Sequence, residues 1–177
     1  MKEESVKEYT LTIFCENQTG LLARIVGIIT RRHFDMISVS ASPSSMEGIY
    51  RFTIVLPLTH EQVRKVALQI EKQVDVLKVF YYENHEIIHQ EIALYKIPSN
   101  VFYQGERVEQ LIRRHNARVL MIEQEYIVIE KTGHREEIDA LLSEFKKIGI
   151  YEFVRSGKIA IVKEMEKLKQ YLSTLKE

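Results

Sequence analysis

The amino-acid sequence predicts an α+β protein made of two tandem βαββαβ units, each a four-stranded antiparallel sheet with two helices on one face. Three observations predict it. Along the chain, apolar residues switch repeatedly between a spacing of two and a helical spacing. The order of these runs, strand, helix, strand, strand, helix, strand, is complete by residue 83 and starts again at residue 90. From Leu11 to Ile92, the matching positions, lie on the order of eighty residues, the size of one ferredoxin-like unit.

The first unit begins with "YTLTIFC" (9–15), an alternating run rich in Thr, Ile and Phe that reads as a strand. "ENQTG" breaks it, and "LLARIVGIITRRH" then places Leu21, Leu22, Ile25, Ile28 and Ile29 on one helical stripe, with Arg31, Arg32 and His33 at the end where the macrodipole favours cations. Alternation resumes in "FDMISVSAS" (34–42), turns at "PSSMEG" and returns in "IYRFTIVL" (49–56), which together read as a hairpin. Thr59 is a plausible N-cap for a helix carrying Val63, Val66, Ala67 and Ile70, and "VDVLKVFYY" (74–82) is the closing strand.

In the second unit, "QEIALYKI" (90–97) reads as a strand, Pro98, Ser99 and Asn100 interrupt it, and residues 101–115 form an amphipathic helix with Gly105 near its start. "ARVLMIEQEYIVIEKTG" supplies two strands, "HREEIDALLSEFKKIG" a helix ended by Gly149, and "YEFVRSG" a short strand. A strand-like "IAIV" and a helix with Met165, Leu168, Leu172 and Leu175 on one side follow. The expected domains are therefore 1–83, 84–163 and a C-terminal helix over 164–177 that packs on its own domain or on a partner.

The composition narrows the function. Lys plus Arg and Asp plus Glu balance at 25 each in 177 residues, with no long run of either sign, so the electrostatic footprint of a nucleic-acid or membrane-surface binder is missing. The single cysteine, Cys15, sits in an apolar strand and rules out an internal disulfide. The first eight residues, "MKEESVKE", lack the apolar core of a signal peptide, and eighteen apolar residues never run together. A soluble, cytoplasmic protein whose partners are small molecules or other proteins is expected.

Residues 85–89, "HEIIH", match the H-E-x-x-H letters of zinc proteases. That chemistry needs a helix, on which residues four apart are neighbours; on a strand the same two backbones stand about 13 Å apart, too far for one ion. The stretch lies between the β-favouring runs "VFYY" and "IALYKI", and the downstream region offers no third ligand on a helix. It reads as an extended polar connector, with no metal site and no catalysis.

"ENQTGLLARI" (16–25) is the sharper feature. Asn17, Thr19 and Gly20 stand between a buried strand and an apolar helix, where unpaired N–H groups at the helix start can converge on a carboxylate and glycine permits close approach. The same loop also reads as ordinary strand-to-helix punctuation. Followed by "VGIITRRHFDMISVSASPS", however, it resembles the signature of ACT domains, and in particular of the acetolactate synthase (acetohydroxyacid synthase) small-subunit family, whose pattern runs E-N-x-x-G-x-L-x-R-x-x-G. "VDVLKV", "QEIALYKI", "ARVL" and "FVRSGKIAI" extend the resemblance over nearly the whole chain.

The resemblance implies an N-terminal ACT domain and a C-terminal ACT-like domain, with ACT domains pairing across a two-fold axis around a branched-chain amino acid, usually valine. By position, Gly20 and Leu21 would offer N–H groups to the carboxylate, with Asn17, Thr19 and Leu22 shaping the loop. Asp35 would face the ammonium from the neighbouring copy, and Met36 and Ile37 would border the side chain. Where the family usually has Asn, this chain has Asp35, and where it has Gly-Tyr, this chain has His33-Phe34. The extra negative charge bears on which amino acid is preferred.

No phosphate-binding glycine loop or catalytic triad is evident. The resemblance therefore implies a non-catalytic regulatory subunit without cofactors of its own, whose large partner carries thiamine diphosphate, Mg and FAD and makes acetolactate from 2-oxo acids. Such a subunit activates the partner and confers feedback inhibition in branched-chain amino-acid biosynthesis. Two other readings compete: a free-standing tandem ACT sensor of another enzyme, and an RNA-binding sheet using Tyr50 and Phe52, the latter opposed by the neutral charge and missing aromatic-glycine signature.

Overall fold

A computed structural model describes residues 5–103 and 107–164. These divide into two units, one running to His89 and resuming at Lys158, the other Gln90–Gly157.

In the first unit, β1 (Lys7–Glu16) lies between β3 (Ile49–Leu58) and β4 (Val76–Glu83), and β2 (Ser38–Pro43) forms the edge beyond β3, every neighbour antiparallel. Strand periodicity sends Tyr9, Leu11, Ile13 and Cys15 of β1 and Phe52, Ile54, Leu56 and Leu58 of β3 to one face. There they meet Leu21, Ile25, Ile28 and Ile29 of α1 (Leu21–Thr30) and Val63, Val66, Ala67 and Ile70 of α2 (His60–Glu71). Burying each Val, Leu, Ile or Phe side chain among these contributes about 1.5–3 kcal/mol relative to exposure. Thr59 does cap α2: its Oγ1 accepts from the Gln62 N–H at 3.3 Å, and the Gln62 Oε1 accepts from the Thr59 N–H at 2.9 Å.

The second unit repeats the plan. β5 (Ile87–Pro98), which starts upstream of it, is followed by α3 (Ser99–Tyr103), α4 (Arg107–Arg114), β6 (Arg118–Ile122), β7 (Tyr126–Gly133), α5 (Arg135–Ile148) and β8 (Glu152–Arg155), in sheet order β6-β7-β5-β8. Ala93, Tyr95, Ile97, Ile127 and Ile129 pack against Val108, Leu111, Ile138, Leu141 and Phe145. The buried Tyr95 hydroxyl donates to the Ile138 carbonyl at 2.8 Å, and its ring meets Phe145 edge-on at 5.3 Å. Two tandem ferredoxin-like βαββαβ folds are therefore present, as the periodicity predicts.

Several boundaries differ from the sequence reading. β2 starts at Ser38, not at residue 34, because the chain leaves α1 through His33 in a left-handed conformation (φ 56°) and turns Phe34 and Met36 onto the core before pairing begins. The expected helix over 101–115 is described as α3, already begun at Ser99, and α4; residue 105 lies outside the described residues. The strand-like run after Lys158, β9 (Ile159–Val162), groups with the first unit instead of completing an 84–163 domain. There β9 pairs with β5, and Lys158, almost fully buried, places its ammonium against the Glu8 carboxylate and within 2.9 Å of the Asn84 Oδ1, while the Ser40 hydroxyl donates to its carbonyl at 3.4 Å. The C-terminal helix read over 164–177 lies outside the described residues from 165 onward. No helix among the described residues is long and apolar enough to cross a membrane.

Candidate functional site

The H-E-x-x-H letters do not sit on an α-helix. Asn84–Glu86 form a single 3-10 turn, closed by the Glu86 carboxylate accepting from the Glu83 N–H at 2.8 Å, and β5 starts at Ile87, which is buried. His85 is largely exposed, its Nδ1 3.6 Å from a Glu83 carboxylate that the Lys7 hydrogen bond holds below the usual carboxylate range. The imidazoles therefore lack the helical stacking that a shared zinc requires. Among the described residues, no three His, Cys, Asp or Glu side chains cluster to hold a metal.

The loop between β1 and α1 carries the stronger chemistry. Gly20 sits at the N-cap with φ 82°, in the left-handed region that glycine enters without a Cβ clash. Among the described residues no side chain caps α1, so the first-turn N–H groups, which a helix cannot satisfy internally, lie beside exposed Asn17 and Thr19. The Leu21 N–H is engaged by the Gln18 carbonyl at 3.2 Å, and Arg24 N–H bonds back to Gly20. The donors left for an external anion are thus those of the next residues, starting at Leu22. Leu21 itself is fully buried and Leu22 packs partly against the core, so both anchor the loop from beneath.

Asp75 braces this loop, a role that the sequence reading missed. Its carbonyl accepts from the Glu16 N–H at 3.0 Å and its carboxylate pairs with Arg24. Burial, with the charge of Asp75 behind it, pushes the neighbouring Cys15 thiol up to about 11, so Cys15 is an inert core group. Asp75 and Arg24 lie 51 positions apart; only the fold makes them neighbours.

The second set of expected residues lies elsewhere. Asp35 is exposed, Met36 and Ile37 are half-buried, and the Ile37 N–H donates to the Val55 carbonyl at 2.9 Å. Val55 pairs with Thr10, near the start of β1, whereas Gly20 follows its end at Glu16. Between Thr10 and Glu16 runs about 20 Å of strand at roughly 3.4 Å per residue. Within one chain, the Gly20 loop and the Asp35 segment are at opposite ends of the sheet.

Comparison with known proteins gives a consistent result. Residues 11–78 match the AHAS small subunit-like ACT domain, and residues 90–164 match the small subunit of acetolactate synthase. The acetolactate synthase small subunit of Bacillus subtilis is 32% identical over 154 residues, 86% of this chain and 89% of its own length. The probable acetolactate synthase small subunit of Archaeoglobus fulgidus is 28% identical over 160 residues, 90% of this chain and 99% of its own. The crystal structure of the acetolactate synthase small subunit from Thermotoga maritima has the same fold, with a TM-score of 0.82 at 21% identity over 91% of this chain and 100% of that one.

Proposed function

Because the chain belongs to the acetolactate synthase small-subunit family, we propose that it is the regulatory, non-catalytic subunit of that enzyme: it binds the large catalytic subunit, raises its activity and makes it inhibitable by a branched-chain amino acid, valine foremost. The observation that carries the reading is the glycine bend at Gly20, which opens an uncapped α1 beside exposed Asn17 and Thr19. A zwitterion requires an anion nest, an acceptor for its ammonium and a small apolar pocket together. The bend supplies the first of these. Asp35 supplies a carboxylate for the second, and Met36 and Ile37 supply apolar surface for the third.

Their separation within one chain argues for a homodimer. β2 is an edge strand whose start adjoins Val55 and whose end, Pro43, pairs with Tyr50. Two copies joined antiparallel along β2 put the start of one strand beside the end of the other. Asp35 of one copy then lies toward the end of the joint sheet where the partner carries its glycine bend. An amino acid shared between the copies favours one arrangement of the dimer, and that differential affinity is all that inhibition needs.

In this reading the protein works in the cytoplasm on branched-chain amino-acid biosynthesis, and thiamine diphosphate, Mg and FAD belong to the catalytic subunit. The test is an assay of the large subunit from the same genome, alone and with this chain, in the presence of valine, isoleucine or leucine. Activity should rise with the chain and fall again with at least one of the three. An unchanged rate under every condition refutes the proposal.

A further inference from the structure

The second face of the first unit's sheet holds a cavity that the effector reading leaves unused. Alternate residues of three strands form its floor: Thr12 and Phe14 of β1, Arg51 of β3, and Phe80 and Tyr82 of β4. Ile161 and Val162 of β9 border it, and the half-open space measures about 190 Å³. At about 30 Å³ per water this is room for roughly six waters, or a molecule of about eight non-hydrogen atoms.

The charged group lining the cavity is an under-coordinated cation. Arg51 lies cross-strand from Phe14, its guanidinium carbon 5.7 Å from that ring centroid. One terminal nitrogen donates to the Ala160 carbonyl and, at 3.4 Å, to the Thr12 hydroxyl. Among the described residues the buried Nε has no acceptor and no carboxylate pairs with Arg51. Lys158 sits on the same face and is fully served, by Glu8 and Asn84. An arginine cannot shed its proton to relieve the cost of burial, so a half-buried guanidinium without a counter-ion favours any anion that reaches it.

The remaining walls define the anion. Phe80 and Tyr82 stack at 6.2 Å with their planes 14° apart, and Ile161 and Val162 face them across the cavity. Among the described residues no acidic side chain lines the space, so no carboxylate there pairs with an ammonium group. We propose that this cavity binds a small apolar monocarboxylate, its carboxylate paired with Arg51 and its hydrocarbon body between the Phe80–Tyr82 rings and Ile161 and Val162. The site discriminates against amino acids, in contrast with the zwitterion-binding loop around Gly20.

The test titrates the full chain with 4-methylpentanoate, its neutral amide 4-methylpentanamide, and leucine, reading the ring signals of Phe80 and Tyr82 by NMR. The acid should shift both rings saturably and bind at least about tenfold more tightly than the amide, as expected for a charge-assisted hydrogen bond; leucine should leave them unmoved. Arg51→Met should abolish the response. Val162→Phe keeps the cation and fills the space, so it decides the matter should Arg51→Met fail to fold: it too should abolish the shifts. Equal binding of acid and amide, ring shifts with leucine as large as with the acid, unaltered binding in Val162→Phe, or no saturable shift in the wild type overturns the proposal.

Discussion

The two units share one βαββαβ plan, yet their first strand-to-helix junctions are built in opposite ways. In the first unit, β1 ends at Glu16 and α1 starts at Leu21, leaving an exposed loop with a left-handed glycine and no side-chain cap. In the second, β5 ends at Pro98 and α3 starts at Ser99 with no loop between them. Ser99 is buried, its N–H donating to the Glu125 carbonyl at 3.1 Å and its Oγ to the Gln124 carbonyl at 2.6 Å. What one unit leaves open, the other consumes internally. A repeated fold thus gives no warrant for a repeated site; the junction does.

Substitution at the two junctions is the strongest way to break that comparison. Gly20→Val forces a β-branched residue into the left-handed region, costing about 1–2 kcal/mol of stability, and removes the close approach at the loop. The amino-acid response of the reconstituted enzyme should weaken by roughly tenfold or more. Ser99→Ala should cost about 0.5–1.5 kcal/mol for the lost hydrogen bond and leave the response intact. Inhibition curves and thermal melts of both variants decide it, and a response that survives Gly20→Val sinks the assignment of the loop.

Alkaline pH separates the two cores. Cys15 is fully buried and its thiol is raised from 9.0 to about 11, so it stays neutral in the folded state after the unfolded chain has ionised. Its contribution to stability is complete below pH 9 and declines as pH rises toward 11, by about 1.4 kcal/mol per unit. In the second unit the buried Tyr95 is raised above 10, first by burial and then by the charge of Asp139, so its loss starts later. Denaturant melts from pH 8 to 10.5 should show the decline, and Cys15→Ala should remove the part that precedes Tyr95.

Much of this was legible in the sequence because apolar period reports which face of an element is buried, and the faces of β1, α1, α2, β7 and α5 follow it. Thr59 and Gly149 mark the helix ends predicted for them. Period says nothing about neighbours. "IAIV" reads as a strand, but period does not reveal that it pairs with β5 or that the preceding Lys158 reaches Glu8, 150 positions away. The Arg51 cavity was likewise invisible: a single arginine in an alternating strand normally points to water. Gly20 was readable as a bend, whereas the engagement of the Leu21 N–H by Gln18 depends on the loop's actual turn.

A smaller effect is expected from the brace under the open junction, the Arg24–Asp75 pair. Arg24 is about half exposed, so its pair with Asp75 is worth no more than about 1 kcal/mol after solvent screening. The carbonyl of Asp75, not its charge, fixes Glu16. Asp75→Asn should therefore lower effector affinity only a few-fold, with a double-mutant cycle against Arg24→Ala giving a coupling of about 0.2–1 kcal/mol. A loss as large as that of Gly20→Val would show that the ion pair, and not the bend, forms the nest.

The smallest expected effect compares the next junction in each unit. α1 is followed by His33 at φ 56° and α4 by Asn116 at φ 49°, both non-glycine residues in the left-handed region that ends helices. The second exit is closed by the Ala117 N–H donating to the Ile112 carbonyl at 2.9 Å, and the first by the His33 N–H donating to the Thr30 carbonyl at 2.9 Å. Asparagine and histidine both tolerate this region better than most residues, and asparagine's short side chain is the easier fit. Glycine removes the strain but adds freedom to the unfolded chain, so His33→Gly should stabilise by only about 0.5 kcal/mol and Asn116→Gly by less. Melts resolving that order, with amino-acid inhibition unchanged in His33→Gly, would place His33 in the backbone geometry of the turn; lost inhibition would make its imidazole part of the effector site.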